Sequence, residues 1–236
     1  MALNTDAEAD AEFSPGEVAV DTRFTPIYRF LRLLVRGLNR LLFRATVEGK
    51  ALVPADGPVI IAPIHRSFVD FFVVSEVTGR KLHYMAKDSL WKRPRFGRFL
   101  LSIGAFPVHR GSADREALRR AQNVLEAGEV LVLFPEGSRR IGSTVDELLE
   151  GAAFLAARTG ATIVPVGIGG TVSVMPKGTR YPRPSKVHMI VGQPLAAPAR
   201  SASGRVPRSQ VHQMTEDLRA SLQDLYQRAV ATTGHP

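Results

Sequence analysis

Residues 130–134 read VLVLF, and residues 162–166 read TIVPV. Neither run alternates apolar with polar side chains. Each therefore predicts a strand buried on both faces, as in a parallel sheet covered by helices. The two strands are expected over Val130–Phe134 and Ile163–Ile168, with others at Val59–Pro63, Leu82–Ala86, Ala105–His109 and Val187–Val191. Between them, helices are predicted at Ser67–Val77, Arg95–Ser102, Ala113–Ala127, Leu148–Arg158 and Ser209–Ala231, with a loop at Ser201–Pro207. Strands alternating with helices make this an α/β fold, a largely parallel mixed sheet flanked by helices.

The chain has 236 residues, 44% hydrophobic and 22% charged, which is ordinary composition for one folded domain. It has no cysteine, so disulfides, thiol nucleophiles and thiolate metal sites are all absent. The six histidines never stand four apart, and neither a metal nor a cofactor is expected. The net charge of +9 is unevenly placed. Residues 1–22 hold six acids and no Lys or Arg, leaving 31 bases against 16 acids in the rest. Such a body expects an anionic partner, whether a phospholipid surface, a phosphorylated substrate or nucleic acid. Residues 1–22 read as an acidic disordered tail without the pattern of a secretory signal.

Residues 23–48 read as an amphipathic basic helix. Over Phe24–Arg44, arginines at 29, 32, 36, 40 and 44 fall within an arc of roughly 120°. The opposite side carries Phe24, Ile27, Leu31, Leu34, Val35, Leu38, Leu41 and Leu42. No uncharged apolar run approaches the ~18 residues of a spanning helix. Two placements are open: in a membrane interface with the arginines at anionic headgroups, or with the apolar face packed onto residues 49–236.

The chemistry concentrates in Pro63–Phe72, PIHRSFVDFF. His65 follows a strand end. Ser67 and Asp70 fit a capping box at the start of the next helix. With His65 in the preceding loop, its ring can fold back onto the Asp70 carboxylate, which would orient the imidazole as a general base. Asp70 could equally serve only as a helix cap. Three more segments place chemistry at strand ends, where ligands bind in open α/β sheets. Ile103–Gly111 delivers Arg110. FPEGSRR (134–140) turns through Pro135-Glu136-Gly137-Ser138 into Arg139 and Arg140. IVPVGIGG (163–170) places Pro165 inside an apolar strand, where its missing N–H predicts an edge, a bulge or a bend. The arginines suit a phosphate by charge and fork geometry.

These four blocks, in this order over roughly residues 50–195, resemble the glycerolipid acyltransferases of the 1-acylglycerol-3-phosphate acyltransferase type. His65–Asp70 is similar to the family's HxxxxD block, Gly104–Arg110 to its second, Phe134–Arg139 to its third, and Ile163–Val166 to its fourth. Trp91–Gly97 (WKRPRFG) and Val191–Leu195 (VGQPL) resemble neighbouring segments. Two positions depart: Ile64 stands where the family commonly has Asn, and Arg140 where it often has Ser. The resemblance implies an acyltransferase-like fold over residues 49–236 and a membrane-associating N-terminal helix. It implies acyl transfer from acyl-CoA or acyl carrier protein to the free hydroxyl of lysophosphatidate. His65 and Asp70 would be catalytic. Arg110, Glu136, Gly137, Ser138, Arg139 and Pro165 would bind the acceptor, with Glu136 orienting the arginines or the acceptor itself. Lys87, Lys92, Arg93, Arg95 and Arg98, around Trp91, would face coenzyme A phosphates, the carrier protein or the bilayer.

It further implies a peripheral or monotopic place on the cytoplasmic face of the cell membrane, an anionic membrane surface as partner, and no nucleic acid. Two alternatives remain at this point. One is the same chemistry on glycerol 3-phosphate, another lysophospholipid or a glycolipid; the other is a basic nucleic-acid-binding protein. No G-x-S-x-G or P-loop pattern occurs, which argues against a serine hydrolase and against nucleotide hydrolysis.

Overall fold

A computed structural model of the chain describes residues 25–109, 114–176, 179, 181–198 and 206–236. The acidic tail, Arg110 and most of the 201–207 loop lie outside the described residues. The order of elements is α1 (Pro26–Phe43), β1 (Thr46–Glu48), β2 (Val59–Pro63), α2 (Asp70–Val73), β3 (Leu82–Lys87), α3 (Pro94–Ser102), β4 (Ala105–Val108), α4 (Arg115–Glu126), β5 (Val130–Val132), α5 (Gly151–Thr159), β6 (Thr162–Gly169), α6 (Thr171–Val174), β7 (His188–Val191) and α7 (Arg208–Thr233). Short 3-10 turns follow β1, α2 and β3.

Seven strands form one sheet in the order β1-β7-β6-β2-β5-β3-β4. Every pairing is parallel except β6 with β7. The expected strand β2 is found with the same bounds, every residue buried, because a wholly apolar run can be satisfied only at the centre of a covered sheet. The edge strand β1 was not anticipated. It lies inside the predicted helical segment 23–48 and pairs with β7, so the sheet begins before residue 49.

Pro165 sits in an interior strand, not at an edge. In β6 the even residues face β2, since Thr162 donates to Pro58 O and Val166 O accepts from Ile64. The odd residues face β7, and there the ladder slips by one. Val166 pairs with Val191, but Ile163 bridges to Leu195. This is a bulge, and the N–H that proline lacks points into it. Gly167 and Gly169 serve a different end. A Cβ on either would collide with α7 backbone at Leu225 and Ala229 respectively, so these glycines let the long C-terminal helix lie directly on β6.

The strand order also sets which strand ends become neighbours. β5 lies between β2 and β3, and the chain then crosses to β6 on the far side of β2. The carboxyl ends of the parallel neighbours β2 and β5 therefore lie side by side, at the edge of the sheet where open α/β folds bind ligands.

Candidate active site

The loop leaving β2 is built around one carboxylate oxygen. Asp70 Oδ2 accepts from the backbone N–H of Arg66 at 2.7 Å, from that of Ser67 at 2.7 Å, and from His65 Nδ1 at 2.9 Å. The Asp70 side chain is fully buried. Three donors on one oxygen hold residues 65–67 outside the helix. The expected capping box is present: Asp70 reaches back to the Ser67 N–H, and Ser67 Oγ accepts from the Val69 N–H at 3.4 Å, although α2 itself begins only at Asp70. An ionised carboxylate only accepts, so Nδ1 carries the proton and Nε2 is left as the basic nitrogen. The ring lies 4.1 Å from Phe134 and 5.4 Å, edge-on, from Phe71, centroid to centroid. His65 is 2% exposed, so a hydroxyl reaches Nε2 only where these aromatic neighbours yield.

The FPEG turn closes onto this loop from β5. Gly137 takes φ 68°, a conformation costly for other residues, and donates to Phe134 O at 3.0 Å. The turn carries Glu136 inward. Its Oε2 accepts from the His65 backbone N–H at 2.8 Å, and its Oε1 meets Arg66 Nη1 at 2.5 Å. Glu136 was expected to orient Arg110 and Arg139 or the acceptor. Both of its oxygens are instead spent on the His65 loop, and the arginine it holds is Arg66.

Arg66 was not singled out from the sequence. Its side chain is 1% exposed, its Nη2 donates to Thr144 O at 2.9 Å, and its guanidinium lies 5.0 Å from the ring centroid of Tyr226 in α7. Burial pushes the Tyr226 hydroxyl above its ordinary pKa, and the Arg66 charge opposes that shift. Nothing local distinguishes an arginine between His and Ser in a basic chain. The one sequence signal was the unpaired acid at the end of a buried strand.

The remaining candidates divide. Ser138, Arg139 and Arg140 are exposed beyond the turn, and the Arg140 backbone N–H donates to His65 O at 3.0 Å. Pro165 is buried in the sheet bulge, beside Gly192. Trp91 is buried beneath Gly97 in a small cluster with Ala86, Leu100 and Ala105, while Lys87, Lys92, Arg93, Arg95 and Arg98 are exposed. His109 spans Asp88 and Asp114 at 3.2 Å on each ring nitrogen. No group of His, Asp and Glu capable of holding a metal occurs among the described residues.

The site thus holds an imidazole bonded to a buried carboxylate at the carboxyl end of a parallel sheet, with the exposed Arg139 and Arg140 just beyond. Residues 44–169 match the family model described as Acyltransferase. The 1-acyl-sn-glycerol-3-phosphate acyltransferase of Bacillus subtilis is 30% identical over 170 residues, 72% of this chain and 82% of that protein. A chloroplastic 1-acyl-sn-glycerol-3-phosphate acyltransferase of Arabidopsis thaliana is 26% identical over 65% of this chain, which spans 44% of its length. The crystal structure of PlsC, the 1-acyl-sn-glycerophosphate acyltransferase of Thermotoga maritima, superposes with a TM-score of 0.67 at 23% identity, covering 84% of this chain and 79% of that one. The chain belongs to the acyltransferase family, and the expected α/β fold is the one this family shares.

Proposed function

We propose that this acyltransferase moves a fatty acyl group from a thioester, acyl-CoA or acyl carrier protein, to the free hydroxyl of lysophosphatidate, giving phosphatidate. The observation that carries it is the 2.9 Å contact between His65 Nδ1 and Asp70 Oδ2. It leaves Nε2 to take the proton of the acceptor hydroxyl as its oxygen attacks the thioester carbonyl. The tetrahedral intermediate collapses with loss of the pantetheine thiolate, and the imidazolium returns the proton to that sulfur. Asp70 offsets the transient positive charge. Arg110 and Arg139 hold the acceptor phosphate and so bring its hydroxyl to His65. Glu136 and Gly137 shape the turn that presents Ser138 and Arg139. Pro165 supports the site from the sheet.

We also propose that the enzyme works at an anionic membrane surface on the cytoplasmic side. The support is the orientation of α1. Apart from Leu42 at its end, which packs against the core, its outer apolar side chains are left uncovered. Arg32 and Arg36 turn inward to the carbonyls of Thr78 and Arg80, Asn39 donates to Phe72 O, and Tyr28 accepts from Leu82 N. Ile27, Phe30, Leu34, Leu38 and Leu41 point outward, at 42–79% exposure. Arg29, Arg40 and Arg44 flank that stripe and are exposed, so three of the five arginines are free for headgroups. The apolar Phe68 and Phe72, beside the catalytic loop, are also exposed. No described helix is long and apolar enough to cross a membrane.

The test is a panel of acyl donors and acceptors with the wild type and His65→Ala, read by mass spectrometry of the products. Lysophosphatidate with palmitoyl-CoA should give phosphatidate, and His65→Ala should not. Turnover by the folded variant would remove the mechanism, and preference for another acceptor would reassign the substrate.

A further inference from the structure

The buried pair Arg66–Glu136 is more than a strut. Resting on the acyl-transfer reading, we propose that Arg66 is a positioning residue: it fixes the His65 backbone through Glu136 and balances the charge around the imidazole, with Tyr226 of α7 as its platform. Residues 44–169 match the family model, so this platform comes from outside the matched segment.

The geometry permits little else. Glu136 has no solvent exposure, and its two oxygens serve the His65 N–H and Arg66 Nη1. Arg66 Nη1 also lies 3.3 Å from His65 O, Nη2 is bonded to Thr144 O, and Cζ lies over the ring of Tyr226. Tyr226 in turn donates to Gly142 O at 3.3 Å, beyond the FPEG turn. One guanidinium thus joins the catalytic loop, the third block and the last helix. Among the described residues, the titratable and charged groups around the imidazole are Asp70 of α2, Glu136 after β5, Arg66 in its own loop, Arg140, whose backbone N–H donates to His65 O, and, behind Arg66, Tyr226 of α7. Phe71 and Phe134 are its aromatic neighbours. Two carboxylates thus stand near the ring, Asp70 bonded to it and Glu136 bonded to its backbone, and the one guanidinium pairs with Glu136. Removing Arg66 leaves a second, uncompensated anion bonded to the His65 backbone. A buried anion favours a nearby cation, so the imidazole would hold its proton to higher pH and be occupied when it should act as base.

The experiment uses Arg66→Gln, Arg66→Lys and the double variant Arg66→Gln/Glu136→Gln, each checked for folding by circular dichroism. Two readouts are taken: pH profiles of kcat/KM for acyl transfer, and NMR titration of the His65 ring without substrate. Arg66→Gln should lower kcat by about 10–100-fold, with both KM values nearly unchanged. It should also move the acidic limb and the ring titration upward by about one pH unit. The double variant, neutral at both positions, should bring the limb and the titration back. Arg66→Lys should keep the limb but lose kcat, since an ammonium neither forks to Thr144 nor stacks on Tyr226. A purely structural role would lower activity without moving either titration, and that result overturns the proposal. So does a change confined to KM, or full kcat in Arg66→Lys. Should Arg66→Gln not fold, the other two variants still decide. Absence of acyl transfer in the wild type would defeat the functional reading alone, because the ring titration tests the charge balance without turnover.

Discussion

Asp70→Asn is the sharpest probe of the catalytic loop. The substitution keeps size and removes charge. Asp70 Oδ2 faces three donors, and the side chain is fully buried. In the proposed reaction the ring takes the acceptor proton, and an imidazolium forms beside this carboxylate. Two unit charges about 4 Å apart, in the effective medium of a protein, interact by roughly 4 kcal/mol. At 1.36 kcal/mol per decade that is about 10³-fold in kcat. An asparagine amide also allows the wrong ring tautomer, which deepens the loss. The two backbone donors exchange a charged acceptor for a neutral one, a separate cost of about 1–2 kcal/mol in stability. The assay follows coenzyme A release with a thiol reagent. The chain has no cysteine, so the reagent reads only product. We expect KM for both substrates within about threefold of wild type, and His65→Ala/Asp70→Asn no slower than His65→Ala, because the two act as a unit. A folded Asp70→Asn with kcat within tenfold of wild type would refute the carboxylate's role.

Three other outcomes follow from the structure. Gly167→Ala places a Cβ on the backbone of Leu225; it should cost about 3 kcal/mol and lower Tm by roughly 6–12 °C, whereas Gly151→Ala, with open space around it, should be silent in the same thermal melts. Phe30→Ser/Leu34→Ser/Leu38→Ser should abolish co-sedimentation with anionic liposomes while leaving Tm within about 2 °C, since the three side chains are exposed. Burial lowers the pKa of His188, with Glu48 opposing and Lys186 adding to the shift; its contribution to stability is therefore present above its ordinary value of about 6.5 and fades as pH falls through the lower folded value. Tm should drop between pH 7 and 5, and His188→Gln should flatten that slope.

How much of this was readable from the chain depends on the range of the interaction. β2 was legible to the residue because a wholly apolar run has one place to go. β1 was not, since three residues on an edge carry no pattern of their own. The capping box over Ser67 and Asp70 was a sound local reading. It held at the Ser67 N–H, and the same oxygen also accepts from the His65 ring and from the Arg66 N–H, the last a partner that no local pattern announces. His65 and Asp70 stood out because both lie within one turn of sequence. Arg66 and Glu136 lie 70 residues apart and meet only when β2 and β5 are neighbours, so their pairing is a property of strand order. The helix α1 was recognised, but its facing was not. An arginine stripe can solvate carbonyls as readily as headgroups, and which it does depends on the Thr78–Arg80 turn presenting them.

That facing has a mechanical consequence. A helix fastened through guanidinium and amide groups, with only Tyr28, Leu42 and Phe43 turned to the protein, leaves its outer stripe of grease uncommitted, so seating on the protein and seating on lipid do not compete for the same side chains. In the proposed membrane orientation, one helix diameter, about 10 Å, becomes the spacer between the bilayer and the protein body. An acceptor then need only rise from its leaflet to be acylated, with its tail still in oil.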